Sequence, residues 1–239
     1  MVLHTPRELL LRAVLHYRRA KVVAHTVELS SSLVFVQTHC HAQIGEHIRV
    51  ELSFPGLVSP FSLETQVIAH RMQMAPGEPC GLVLGFLFYS ERERELLQQL
   101  LVDAPTNDTA SECYNVLVVE DNDFIRDAFA FGVGRLPNAT SHLSVDMVSD
   151  SRDVLERLSA RSYDLAIVDY FLPTDNGDRL ISTLRSDSSL CSLPIFVFSA
   201  GGADIRRAAL DAGADMFLQK PVIIRSLFPT IVHLSALAR

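Results

Sequence analysis

Between residues 114 and 239 the chain alternates short apolar runs with segments whose apolar residues recur every three or four positions. The runs are "NVLVVED", "LSVDMVS", "LAIVDYF", "LPIFVFSA" and "MFLQKPV"; the periodic segments are "FIRDAFAFGVGRL", "SRDVLERLSA", "DRLISTLRS", "ADIRRAALDAGA" and "IRSLFPTIVHLSAL". Five strands and five helices in strict alternation predict an α/β doubly wound domain: a five-stranded parallel sheet with helices on both faces. Its functional groups belong beyond the carboxyl ends of the strands. Pro229, inside the last periodic segment, predicts a kink or an interruption there.

Residues 1–102 follow a different rhythm. A helical period over Pro6–Tyr17 predicts an amphipathic N-terminal helix. Five alternating runs follow, "AKVVAHTVEL", "SLVFVQTH", "HIRVELSFPG", "FSLETQVIAHRM" and "CGLVLGFLF", separated by Gly, Pro and Ser turns, and predict a small antiparallel β-barrel. "SERERELLQQLL" predicts a closing helix, with Ser90 and Glu93 spaced as a capping box. Between the two halves, residues 103–113 ("DAPTNDTASEC") carry no apolar period and read as a linker, which sets the domains at 1–102 and 114–239. No internal repeat is visible.

Composition narrows the class. Hydrophobic residues make up 48% and charged residues 21%, the balance of a globular protein. No run reaches the roughly 18–20 apolar residues that a membrane-spanning helix needs, and the N-terminus lacks the features of a secretion signal. Cys40, Cys80, Cys113 and Cys191 follow no disulfide or C-x-x-C spacing, as expected of reduced thiols in a cytoplasmic protein. A net charge of −7 argues against a nucleic-acid partner.

The candidate chemistry sits at predicted strand ends. The first strand of the second half runs into Glu120 and Asp121, and the third into Asp169. Three carboxylates in one crevice repel unless a cation lies among them, and oxygen ligands with room for water suit Mg²⁺. Read alone, Glu120 and Asp121 could instead favour the positive end of the next helix. The fourth strand, however, delivers Ser199 and the fifth delivers Lys220, one of two lysines against nineteen arginines. A compact ammonium on a flexible stem can follow an oxyanion where a guanidinium fork imposes planar geometry.

Together "VLVVEDN", "LAIVDYFLPTDNG", "VFSA" and "MFLQKP" resemble the receiver domain of two-component response regulators, with Pro173 and Gly177 four and eight residues beyond Asp169. The resemblance implies a phosphoacceptor at Asp169, loaded by a sensor histidine kinase or a phosphotransfer protein. It implies Mg²⁺ held by Glu120, Asp121, Asp169 and the backbone carbonyl of Phe171, phosphoryl binding by Ser199 and Lys220, and a switch aromatic at Phe217 that swings inward. Bulky Phe171 is a departure that should hinder hydrolytic water. An Asp-nucleophile phosphatase would want an acid there, so a non-enzymatic switch is expected. Pro229 puts the family's usual dimer face in doubt, so a homodimer is left open.

The first half resembles the PilZ family, whose cyclic di-GMP receptors use an arginine-rich stretch and a D/N-x-S-x-x-G motif. Here Arg18, Arg19, Glu28 and Ser30 are the matching positions, while Val22 and Leu33 depart from the pattern and Glu28 replaces Asp or Asn. The expectation is a degenerate barrel that engages a downstream protein partner, with cyclic di-GMP reception or an unphosphorylated pseudo-receiver scaffold as alternatives. The domain pairing resembles that of proteins serving bacterial motility. His39 and His41 could share a strand face, but no third metal ligand is spaced nearby, and a polar strand end is the simpler reading.

Overall fold

The computed structural model describes residues 6–75, 78–88, 90–102, 113–134, 143–220 and 224–237. The chain divides into two compact units, Met1–Thr106 with Pro229–Arg239, and Asn107–Phe228. The linker residues 103–112 lie outside the described residues.

The described strands of the first unit are β1 (Arg7–Glu8), β2 (Arg12–Tyr17), β3 (Ala20–Leu29), β4 (Leu33–Gln37), β5 (His47–Phe54), β6 (Val58–Arg71) and β7 (Gly81–Phe88). Strands β3, β2, β5, β6, β7 and β4 pair in that order and β4 returns to β3, closing a six-stranded antiparallel barrel that two-residue β1 extends. Gly81 is needed where β7 meets β4, because a Cβ there would lie 2.0 Å from the Val36 carbonyl oxygen.

The N-terminal helix expected over Pro6–Tyr17 is not formed; the segment is extended as β1 and β2. Leu9, Leu10 and Leu11 are all buried, and so are Ala13, Val14 and Leu15. Three consecutive buried residues span far more than one helical face, but they suit an extended chain covered on both sides. The Thr26 hydroxyl fixes the entry by accepting from the Leu11 N–H at 2.8 Å and donating to the Leu9 carbonyl. A two-residue loop, Arg18–Arg19, joins β2 to β3 with Tyr17 opposite Ala20. Arg18 takes the left-handed conformation that such hairpins require (φ 54°) without the Gly or Asn that normally signals it.

Helix α1 (Glu91–Leu101) carries the expected capping box: the Ser90 N–H donates to Glu93 Oε2 at 2.6 Å and the Glu93 N–H donates to Ser90 Oγ at 3.4 Å. Such a cap contributes about 1 kcal/mol.

In the second unit β8 (Tyr114–Val119), β9 (Leu143–Val148), β10 (Leu165–Asp169), β11 (Ile195–Ser199) and β12 (Met216–Gln219) form a parallel sheet in the order β12-β11-β10-β8-β9. The order reverses between β8 and β10, which makes their carboxyl ends the crevice of the fold. Helices α3 (Ser151–Ala160), α4 (Gly177–Ser186) and α5 (Ala203–Asp211) cover one face, burying Val154, Leu180, Ile181, Leu184 and Ala209 against Val119, Val168 and Val197. Alternate strand residues point the other way. There Phe198 meets Phe129 of α2 (Asp123–Gly134), and Phe129 meets Phe228 of α6 (Ile224–Leu237), both edge-on.

Helix α6 runs from Ile224 to Leu237 with Pro229 inside it, so of the kink or interruption expected there the interruption is not present. A proline at the sixth position removes one backbone donor, while buried Leu227 and Phe228 on one side of it and Thr230 and Ile231 on the other hold both halves. By their contacts, the described residues from Pro229 to Leu237 group with the first unit.

Candidate functional site

The site is built by chain ends that the parallel sheet has no choice but to collect. Strand β8 is apolar from Val116 to Val119, and the next residue, Glu120, leaves the sheet buried, at 1% exposure. Strand β10 ends on Asp169, 7% exposed, in the neighbouring row. With exposed Asp121, ligand oxygens of the three acids lie within 4.8 Å of one another.

Lys220, one residue past β12, bridges the two buried acids. Its Nζ donates to Glu120 Oε2 at 2.6 Å and to Asp169 Oδ2 at 2.7 Å. The Lys220 N–H donates to the Ser199 carbonyl at 3.1 Å, which registers the lysine against β11. Ser199 is fully buried, and its Oγ accepts from the Gly201 N–H at 3.1 Å. Burial pushes the Glu120 carboxyl above its usual range; the Lys220 hydrogen bond pulls against that and the Asp169 charge reinforces it. Three acids and one ammonium leave a net double negative charge among oxygen donors, a set that fits a hard divalent cation.

The loop after Asp169 is held by backbone. The Phe171 N–H donates to Asp169 Oδ1 at 3.3 Å, and the Gly177 N–H donates to the Tyr170 carbonyl at 2.7 Å. Gly177 opens α4 directly against the strand end: a Cβ there would sit 2.9 Å from both the Asp169 carbonyl oxygen and Tyr170 Cα. Phe171 is 51% exposed, with its ring edge-on to Tyr170 at 5.3 Å. Phe217 is buried in the core beneath α3, α4 and α5.

Two contributors escaped the sequence reading. The Arg126 guanidinium donates to the carbonyls of Glu120 at 3.0 Å and Asp121 at 3.1 Å and pairs with Asp123, holding the loop that carries both acids. Its only signal is the three-residue spacing from Asp123 on a helix. Asn122 Oδ1 accepts from the Phe124 N–H at 3.0 Å, so Asn122, rather than either acid, caps α2.

In the barrel, the four positions matched to a dinucleotide motif are not brought together. Arg18 and Arg19 form the loop before β3, whereas Glu28 and Ser30 lie at its far end, roughly 25–30 Å away at strand rise. Each group except Arg19 has a structural partner. Arg18 pairs with Glu46 at 3.1 Å, and Glu28 is held by both Nη atoms of Arg71 at 2.7 and 3.1 Å. Arg71 in turn stacks 3.9 Å over the Phe35 ring. The Ser30 hydroxyl donates to the Leu33 carbonyl and accepts from the Leu33 N–H. His39 and His41 are exposed in the loop beyond β4 and do not share a strand face.

Residues 116–231 match the family model of the response regulator receiver domain. This part of the chain is a receiver domain. The chain is 32% identical over 124 residues to the transcriptional regulatory protein CutR of Streptomyces coelicolor, covering 52% of this chain and 53% of CutR. It is 36% identical over 107 residues to the two-component response regulator PhoP of Pseudomonas aeruginosa, covering 44% of each. The chain thus spans about half the length of the curated relatives it matches. A solved structure of the chemotaxis response regulator CheY4 of Vibrio cholerae aligns at 21% identity over 52% of this chain and 99% of that chain, with a TM-score of 0.45. No helix among the described residues is long and apolar enough to cross a membrane.

Proposed function

We propose that this protein is a phosphorylation switch of two-component signalling, with Asp169 as phosphoacceptor and Mg²⁺ as cofactor. The observation that carries the reading is the Lys220 ammonium held between Glu120 and Asp169, 2.6 and 2.7 Å away, with Asp121 completing the acidic cluster. An Asp169 carboxylate oxygen attacks the phosphorus of a phosphohistidine on a sensor kinase or phosphotransfer protein; the P–O bond forms as the P–N bond breaks, and the imidazole leaves with the electron pair. In-line phosphoryl transfer asks little covalent chemistry of the protein, but it does need the equatorial oxygens neutralised and both ends aligned. Lys220 is placed to follow the transferred oxygens, and Ser199 to donate its hydroxyl hydrogen once it turns from the Gly201 N–H. Glu120, Asp121, Asp169 and the Phe171 carbonyl would hold Mg²⁺, which when bound shields the incoming phosphoryl charge.

Output is by protein contact, not by catalysis, with the barrel as a PilZ-like interaction module acting in the cytoplasm. The internal pairing of Glu28 with Arg71, and of Ser30 with its own loop, favours this role over cyclic di-GMP reception. Incubation with Mg²⁺ and acetyl phosphate should add one phosphoryl group by intact mass, and Asp169→Asn should abolish it. An unmodified wild-type chain would leave the pseudo-receiver scaffold as the correct reading.

A further inference from the structure

Beyond Asp169 the chain leaves the sheet and returns as α4, and the base and tip of this loop are held differently. At the base Tyr170 and Leu172 are buried in the core, the Gly177 N–H closes on the Tyr170 carbonyl at 2.7 Å, and Phe171 bridges Asn176. At the tip Pro173, Thr174 and Asn176 are exposed, so packing does little to fix them.

A hydroxyl holds the tip instead. Thr174 Oγ1 donates to Asp150 Oδ1 at 2.8 Å and lies 3.1 Å from Ser151 Oγ. With the threonine hydrogen committed to the carboxylate, the Ser151 hydroxyl donates to Thr174 Oγ1. Both partners stand at the start of α3 and are themselves fixed. Asp150 is the N-cap: its Oδ1 accepts from the Arg152 N–H at 2.9 Å, its Oδ2 accepts from the Arg152 guanidinium at 2.7 Å, and Ser151 is buried. The Arg152 side chain, helped by Thr174, holds the Asp150 carboxyl well below the usual carboxylate range. Asp150 is therefore a permanent acceptor with both oxygens occupied, not a further ligand for a cation.

The place of this bond gives it a consequence. Strands β9, which leads into Asp150, and β10, which ends on Asp169, flank β8 and lie roughly 10 Å apart at two strand spacings. Thr174 thus joins the chains on either side of the strand that delivers Glu120 and Asp121. It also lies three residues beyond Phe171, and a backbone carbonyl is aimed only by the conformation of its own loop.

We propose that Thr174 is a positioning residue for the divalent cation: its bonds to Asp150 and Ser151 hold the acceptor loop, and with it the Phe171 carbonyl, in place ahead of the ion. This role rests on the phosphoacceptor reading above, which supplies the cation site. Removing a group that orients metal ligands lowers affinity about 10- to 100-fold, and for an exposed hydroxyl the lower end applies, about tenfold.

The test titrates the metal-free full chain with Mn²⁺, which favours the same oxygen donors and whose free ion is counted by electron paramagnetic resonance. Wild type should bind one ion that Asp121→Asn loses. Thr174→Val, which keeps the side-chain shape but removes the hydroxyl, should bind about tenfold more weakly. Thr174→Ser should bind as wild type does, and all three threonine-site chains should unfold alike in EDTA. A Thr174→Val chain with wild-type affinity, a loss that Thr174→Ser does not restore, or a loss matched by lower stability in EDTA overturns the positioning role alone. So does Mn²⁺ that Asp121→Asn retains. A wild-type chain that binds Mn²⁺ yet gains no phosphoryl mass from acetyl phosphate overturns the phosphoacceptor reading, while the Mn²⁺ comparison still decides the positioning role. One that binds no Mn²⁺ overturns both.

Discussion

Removing the cation from the acidic crevice should expose how much charge the fold stores there. In Lys220→Met the stem is kept and the ammonium is lost, leaving Glu120 at 1% and Asp169 at 7% exposure facing each other with Asp121 nearby. Breaking a buried ion pair from one side costs about 3–5 kcal/mol when the remaining charge has no escape. Here it has one, because burial already raises the Glu120 carboxyl and the variant can fold with that group protonated. The cost is then capped by the work of protonating a carboxyl whose ordinary value is about 4.3, which is about 4 kcal/mol at pH 7 and about 1 kcal/mol at pH 5. The sign follows from proton binding. The folded variant holds a proton that its unfolded chain releases above the ordinary value, so the deficit relative to wild type grows as pH rises and vanishes toward pH 4. Urea denaturation in EDTA at pH 5, 6 and 7, read by hydrogen exchange of β10 amides, measures it. Mg²⁺ should narrow the gap by supplying the missing charge. A deficit that is equal at pH 5 and pH 7, or one that Mg²⁺ leaves untouched, would refute the claim that the three acids and the lysine form one electrostatic unit.

Gly177→Ala places a Cβ 2.9 Å from two backbone atoms that cannot rotate away, so it should destabilise the receiver by about 1–3 kcal/mol in denaturation and slow acetyl phosphate uptake by moving the Asp169 strand end. Phe171→Ala removes the half-exposed ring beside the acceptor; the acyl phosphate, followed by mass after the donor is withdrawn, should decay roughly fivefold faster, equivalent to about 1 kcal/mol of barrier. In the barrel, Glu46 accepts from the Tyr17 hydroxyl, the Gln43 N–H and Arg18, which lower its carboxyl to about 2. A depressed acid contributes stability above its ordinary value and loses it as pH falls through the folded one, so the melting difference between wild type and Glu46→Gln should stay constant from pH 7 to pH 5 and close between about pH 4.5 and pH 2.

The receiver was legible because its chemistry is fixed by topology. Strands buried on both faces read as unbroken apolar runs, and a functional group that ends such a run has only the crevice to occupy. Glu120, Asp169, Ser199 and Lys220 each end a run, and all four strand ends meet at one edge of the sheet. Arg126 did not show itself because it works through backbone carbonyls, which leave no mark in a pattern of residue types. The N-terminal segment was misread for a related reason. "ELLLRAVLHY" satisfies a helical period, and what decides against a helix is the neighbour: β3 offers a full antiparallel edge from Arg12 to Tyr17, and the Arg18–Arg19 turn that aligns them has no glycine to announce it.

The same contest between local pattern and neighbour bears on where the receiver ends. The family model runs to residue 231, whereas the receiver's own packing stops at Phe228. The residues in between follow the helical period of the family, yet Thr230 is committed to the barrel by its bond to Leu10. Polar residues explain the division. At 230, 233 and 235 this chain buries Thr, His and Ser rather than apolar side chains. Buried hydroxyl and imidazole groups are tolerated only where partners wait for them. For Thr230 and His233 those partners are the Leu10 N–H and the Leu100 carbonyl of the barrel unit, while the Ser235 hydroxyl returns to the Val232 carbonyl within the helix. Two polar positions, Thr230 and His233, therefore commit this helical segment to packing in the first unit.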